Sequence, residues 1–393
     1  MNKLLSFTVD QLNFLEAVSL ANRAVAKHSV QPVLSNILLK ASSEKQTLQV
    51  MGTDLDLGLA ASIPASIEVG GEITLPAQKF NDMLSTLPSL QVELVASIEG
   101  LVNVRCGGCK FQMKGLTSEA FPQSFVQEAS QGLNDSLQVN KKDLENACRL
   151  VPFAIDRKNS SNPLGGVSLI AKDNLLEFAA TDSTRLSRFQ CLASNVKTEE
   201  KIVVPAKIFV ELIRMLGITE SECVNISLSN SNKIIFYTDK HVLSGSLLAG
   251  NYPSYQSLIP SKYACEGVVN RQSLIQCLNR ASILADERTK IINFSFHEQG
   301  ILNISSASLD LGSCQDQLDL INYSGSDINI SFNVFFLLDC LKNLSCEDIV
   351  IKMNDPVKPL VVEPELLEDP EKEPEFLYIL MPLKNQNKVN AEV

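Results

Sequence analysis

Histidine is scarce in this 393-residue chain: His28, His241 and His297 are the only three. A zinc-type site needs cysteine pairs or histidines close together. The one close cysteine pair, Cys106 and Cys109 in "CGGC", has neither a second pair nor a histidine beside it. Gly107-Gly108 between alternating apolar flanks instead signals a hairpin turn. The ten cysteines run from Cys106 to Cys346 without the spacing of a disulfide framework, so reduced, inert thiols are expected. No apolar run reaches the roughly eighteen residues of a membrane span. The N-terminal "MNKLLSFTVDQLNFLE" meets Asp10 and Glu16 too early for a secretory leader. A soluble, cytoplasmic protein is therefore expected. No glycine loop carries the lysine and spacing that cradle nucleotide phosphates.

What the chain does have is internal repetition. "FTVDQLNFLEAV" at 7–18, "LQVNKKDLENAC" at 137–148 and "GVVNRQSLIQCL" at 267–278 each run from a strand end through a polar residue into a helical pattern, 130 residues apart both times. "ITLPAQKF" at 73–80, "IVVPAKIF" at 202–209 and "INISFNVF" at 328–335 follow at lags of 129 and 126. "LQVMGTDLDL" at 48–57, "LEFAATDSTRL" at 176–186 and, more faintly, "LNISSASLDL" at 302–311 make a third mark. Length divided by about 150 residues allows two or three domains. The repeats give three copies of one α+β domain: 1–128, 129–262 and 263–393. "EASQGLNDS" at 128–136 and "PSKYACEG" at 260–267 are polar, turn-rich seams.

Each copy reads as two helix-plus-strands units, which makes six helices in all. The first helix of the chain should bury Leu12, Leu15, Val18 and Ala21 or Asn22. The second helices open after Pro76 and Pro205. "EPELLEDPEKEPE" at 363–375 holds seven acids, one lysine and three prolines and reads as a disordered loop. "LYILMPLKN" at 377–385 is apolar although it stands close to the end of an acidic chain. Read alone it is a last edge strand that fills a core, with Tyr378 and Leu380 buried and Ile379 and Met381 offered on the other face.

The threefold repeat, with "PVLSNILL" at 32–39, "TDSTRL" at 181–186, "NYPSYQSLIP" at 251–260 and "YILMPLK" at 378–384, resembles the bacterial DNA polymerase III β subunit family, the β sliding clamps. The likeness runs over essentially the whole chain. It implies a head-to-tail homodimeric ring, with helices inside and sheets outside, that encircles duplex DNA without sequence preference. The family has no catalysis and no cofactor or metal. Its partners are the replicative polymerase, a clamp loader and other proteins that carry short peptides bearing glutamine and leucine or phenylalanine.

The resemblance places the peptide groove on Leu164, Thr181, Ser183, Thr184, Arg185 and Leu186 from the second copy, with Pro253, Ser257 and Leu258 close to that copy's end. Pro359, Ile379, Met381, Pro382 and Leu383 make the third-copy wall, an adaptable apolar surface. Ser183 and Thr184 stand where better-known members have Gly-His, Ser257 where they have a basic residue, and Lys384 where arginine is frequent. The dimer joint falls on Lys110, Phe111 and Met113 against Ile283, Leu284 and Asp316. Residues 386–393 run past the family's usual end.

A net charge of −11 looks wrong for a DNA-associated protein. Six candidate helices, 10–28, 77–87, 140–158, 206–216, 270–288 and 332–343, nonetheless sum to +4 and leave −15 for the remainder. The cations expected to face DNA are Arg23, Lys79, Lys142, Arg149, Lys207, Arg214 and Arg280. His28 stands where the family usually has arginine. Two other readings stay open. Asp54 and Asp56 share a strand face and could serve a metal-dependent enzyme, although Ser308 replaces the repeated aspartate in the third copy and a turn role competes. The chain could also be an interaction scaffold with no DNA role.

Overall fold

The computed structural model describes residues 3–27, 29–131, 136–159, 162–197, 199–229, 231–365 and 375–383. His28, Lys384, most of the acidic stretch and the tail 386–393 lie outside them. Seven α-helices are present among the described residues: α1 Gln11–Asn22, α2 Ala77–Ser85, α3 Ser124–Gln131, α4 Lys141–Leu150, α5 Ala206–Ile218, α6 Arg271–Ser282 and α7 Val334–Asn343. Six are the expected pairs. The seventh, α3, occupies part of what the sequence suggested was a connector.

The helix starts are local chemistry. Asp10 accepts from the Leu12 and Asn13 amides at 3.1 and 3.2 Å and caps α1. Pro76 stands at the N-cap position of α2 without a side-chain capping bond, and Pro205 directly precedes α5. In the third copy Asn270 and Asn333 take over as caps. The α1 stripe differs from the expected one: Phe14, Ala17, Val18 and Ala21 are buried, and Leu12 is 59% exposed. The helix turns on its aromatic ring, because Phe14 meets both Phe7 and Phe80 edge to face, a larger buried surface than Leu12 could give. Gly52 lets α1 lie close, since a Cβ there would fall 2.0 Å from the Ala21 carbonyl oxygen.

By contact the chain divides into two units: Met1–Lys142 with Ala193–Lys197 and Lys207–Leu247, and Asp143–Leu192 with Thr198–Ala206 and Leu248–Val393. In the first, one antiparallel sheet runs Ser66–Val69, Lys3–Asp10, Gln91–Ser97, Leu101–Cys106, Cys109–Lys114. A second runs Gly71–Pro76, Asn36–Ser42, Thr47–Thr53, Leu57–Pro64, His241–Ser246, Lys233–Tyr237, Cys223–Ser229. The "CGGC" turn is the expected hairpin, with Cys106 opposite Cys109 and Gly107 at φ 54. All ten cysteines are free.

In the second unit a sheet runs Glu200–Pro205, Gly166–Lys172, Leu175–Thr181, Arg185–Ser194, Glu375–Leu380, Leu360–Pro364, Asp348–Met353, Cys265–Asn270. Another runs Gly312–Asp319, Ile301–Ser308, Ile291–His297, Ile328–Asn333. The strand carrying the C-terminal apolar stretch is therefore not an edge. It pairs with Arg185–Ser194 on one side and Leu360–Pro364 on the other, so neither edge is free, and Tyr255 with its flanking side chains covers the face that carries Ile379, which at 2% exposure is as buried as Tyr378 and Leu380.

Candidate partner groove and nucleic-acid face

The repeated "TD" at 53–54 and 181–182 is a turn device in both copies. Thr53 Oγ1 donates to the Leu57 carbonyl at 2.8 Å and accepts from the Leu55 amide at 3.0 Å; Asp54 Oδ1 accepts from the Asp56 and Leu57 amides. Thr181 repeats this with Arg185 and Ser183 at 2.6 and 3.1 Å, and Asp182 Oδ1 accepts from the Thr184 and Arg185 amides. The residue between them lies at positive φ each time, Leu55 at 81° and Ser183 at 74°. Asp54 is thus engaged as the hydrogen-bond hub of a hairpin. Among the described residues no cluster of three or more metal-ligating side chains occurs.

That second turn borders the place where the groove is expected. Leu186 lies directly opposite Ile379, and Ile379 opposite Val361. With Ala179, Leu377 and Tyr255 they form a buried cluster, flanked by Tyr252, Ile259 and Tyr263. Leu258, Met381 and Leu383 are 49%, 37% and 37% exposed. In the expected groove Leu186 and Ile379 would therefore be floor, and the three exposed apolar side chains wall. Backbone bonds hold that wall, from the Met381 amide to the Thr184 carbonyl at 2.9 Å and from the Leu383 amide to the Ser331 carbonyl at 2.8 Å. Ser183, Thr184, Pro253 and Ser257 are exposed, Thr181 is buried, and Leu164, Pro359 and Pro382 are half-buried.

Hydroxyls fix the rim. Tyr252 accepts from the Thr181 amide at 2.9 Å, and Tyr255 donates to Glu177, which also pairs with Arg188. Burial pushes both phenols well above the usual tyrosine pKa.

Arg185 is placed differently from the groove expectation. Strand alternation turns it away from Leu186. Its side chain is 6% exposed, bonded to Asp182, to Asp339 at 2.9 Å and to the Phe153 carbonyl, and it lies 4.3 Å over the Phe336 ring. Burial works against its charge, but Asp339, then Tyr378 and Asp182, outweigh that and raise its pKa. Arg185 is a buried structural cation in this arrangement.

The cations expected to face DNA divide between the units. Lys79, Lys142 and Lys207 stand in the first turns of α2, α4 and α5 with exposed side chains. Arg23 follows α1 and pairs with Glu211 of α5, as does Arg214. In the other unit Arg149 bonds Asn146, and Arg280 pairs with Asp316 at 2.6 Å, so one residue expected at DNA and one expected at the dimer joint neutralise each other. Several helices are shorter than the windows assumed, and the six together carry +3. Ser19–Asn81, Asn22–Gln78 and Gln78–Asp82 bonds make a largely uncharged polar seam along α1 and α2. Glu211 was missed from sequence. Its i, i+3 spacing to Arg214 was a signal, but Arg23 reaches it from 188 residues away.

Lys110 and Phe111 are exposed and Met113 half-buried on Cys109–Lys114, an edge strand of its sheet. Asp316 lies on Gly312–Asp319, also an edge, while Ile283 is 72% exposed and Leu284 half-buried just after α6.

Repeated strand-and-helix copies joined through their sheets define a clamp-type fold. Sequence comparison matches the N-terminal, central and C-terminal domains of the DNA polymerase III beta subunit at residues 5–125, 138–254 and 256–383. The beta sliding clamp of Synechococcus elongatus is 31% identical, over 88% of this chain and 92% of that protein. The solved sliding clamp of Bacillus subtilis is 25% identical with a TM-score of 0.84, covering 97% of this chain and 99% of that one. That of Pseudomonas aeruginosa, solved bound to griselimycin, is 25% identical with a TM-score of 0.85, covering 97% and 100%. The chain belongs to the bacterial DNA polymerase III β subunit family, the β sliding clamps.

Proposed function

We propose that the chain works as a head-to-tail dimeric ring that encircles duplex DNA and tethers the replicative polymerase and other DNA-processing proteins. It is an accessory processivity factor without chemistry of its own. The observation that carries the ring is which strands are left unpaired. Eight strands are common to the three copies. The fourth of the first copy, Leu57–Pro64, pairs with the eighth of the second, His241–Ser246. The fourth of the second, Arg185–Ser194, pairs with the eighth of the third, Glu375–Leu380. Among the described residues the remaining eighth and fourth strands, Cys109–Lys114 and Gly312–Asp319, are both open edges.

An exposed edge is a template for pairing. Repeating the same fourth-to-eighth joint between two chains covers both edges and gives two equal joints. Lys110 and Lys114 on one edge face Asp319 on the other, where Asp316 is already paired with Arg280. The domain bounds 1–128, 129–262 and 263–393 follow the same logic, and the family spans support them. Leu258, Met381 and Leu383 over the Leu186–Ile379 floor suit short glutamine-, leucine- and phenylalanine-bearing peptides. Exposed Lys79, Lys142 and Lys207 suit weak phosphate contacts that set no register. We place the protein in the cytoplasm. No helix among the described residues is long and apolar enough to cross a membrane.

Native mass tests the joint. The wild type should be a dimer, and Ile283→Arg with Leu284→Arg should give monomers at micromolar concentration; a persisting double-mutant dimer refutes the assignment. The loaded protein should leave linear duplex by its ends and persist on closed circles, and equal lifetimes on the two would refute the ring.

A further inference from the structure

Two of the cations expected at DNA are not independent. Arg23 donates to Glu211 from Nε at 2.5 Å and from Nη2 at 3.0 Å, and Arg214 donates to the same carboxylate from Nη1 at 2.7 Å. Glu211 is 9% exposed, whereas the arginine side chains are 38% and 46% exposed. One buried carboxylate thus holds guanidiniums from two separate helical segments in one fixed pose, and the cluster keeps a net charge of +1. Each guanidinium has five N–H donors, so most have no partner among the described residues after these bonds.

We propose that Glu211 is a positioning residue for the DNA backbone: it locks Arg23 and Arg214 into a single two-armed site for a phosphodiester oxygen. Planar forks recognise phosphate best when their geometry is set beforehand, and unpaired long side chains lose rotamer freedom on binding. The proposal rests on the clamp reading of this face. It also opposes simple electrostatics, by which a carboxylate beside DNA only repels it. Removing Glu211 adds one positive charge, and charge alone then predicts tighter binding with a steeper salt dependence.

The test is anisotropy titration of the full-length protein with a short labelled linear duplex over a salt series, with Glu211→Gln compared to wild type. Positioning predicts affinity lower by about two- to tenfold and a salt slope shallower by about 0.9, one phosphate contact. In an Arg23→Ala, Arg214→Ala background the same substitution should no longer weaken binding. Tighter or unchanged binding by Glu211→Gln, with unchanged melting and native mass, overturns the proposal. If Glu211→Gln melts early, Glu211→Asp decides: its charge is kept and its reach shortened, so weaker binding is expected and wild-type affinity refutes. A different result sinks the clamp reading of this face: wild-type DNA affinity in Arg23→Ala with Arg214→Ala, at native dimer mass.

Discussion

Met381→Ala combined with Leu383→Ala separates groove from core. Each side chain is 37% exposed in the free protein, so a docked peptide can newly bury a little over a third of it. Full burial of such a side chain contributes about 1.5–3 kcal/mol, so this fraction gives about 0.6–1.1 kcal/mol per residue and about 1.1–2.2 kcal/mol for the pair. At about 1.4 kcal/mol per decade, affinity for a labelled glutamine/leucine/phenylalanine-type peptide should fall roughly 6- to 40-fold. Melting should change little, because the bonds holding this segment run through the Met381 and Leu383 amides. The contrast is Leu186→Ala or Ile379→Ala. Both residues are 2% exposed, and truncation there should cost about 2–5 kcal/mol of fold stability. Fluorescence titration with parallel thermal melts reads both quantities. Unchanged peptide affinity in the Met381/Leu383 double variant would show that this wall touches no partner.

Leu55 carries a branched side chain at φ 81 and is 47% exposed, so Leu55→Gly should raise stability by up to about 1 kcal/mol despite glycine's entropy; a lower denaturant midpoint would refute strain at this turn. His241 is 6% exposed with no partner for Nδ1 among the described residues, and burial, then Lys240, lower its pKa. The unfolded chain therefore takes up a proton that the fold resists, and stability should decline as pH falls through about 6.5. His241→Phe should flatten that part of the stability curve in urea titrations, and an unchanged slope would count against His241 as its source.

Much of the architecture was legible because it is local and repeated. The polar residue opening each copy's first helix, Pro76 and Pro205, the Gly107 hairpin and the "TD" turns all act within a few residues of themselves, so their spacing survives in the sequence. What failed was set by distant partners. Alternation leaves Ile379 on an open face, but Tyr255, more than a hundred residues earlier in the chain, packs over that face with Tyr252, Ile259 and Tyr263. The resemblance lists Arg185 with the groove residues, and its place in the motif does not show that Asp339, 154 residues away, holds its side chain. Leu12 lost its place in the core to Phe14 only because Phe80 is there to meet the ring. The Arg23–Glu211 pair is invisible for the same reason.

The two internal joints have the same register, yet only one is proposed to take a peptide, and their connectors explain the difference. At the first, Gly58 faces Ser244 where the second has Leu186 facing Ile379. A Cβ on Gly58 would sit 3.1 Å from the Phe125 ring, and Phe121 and Phe125 pack with Ala60 and Val242 over this small-residue floor. The connector, including α3, fills its own joint with phenyl rings. At the second joint the connector brings tyrosines, whose hydroxyls are tied to the Thr181 amide and to Glu177. That ties the rings to the rim and leaves Leu258, Met381 and Leu383 exposed. A phenylalanine has no hydroxyl with which to anchor at a rim, so its gain comes from covering apolar floor; a tyrosine can be held beside the floor by its hydrogen bond. The apolar stretch at the end of this acidic chain is thus buried where it continues the sheet and open just beyond, where its connector stops short of covering it.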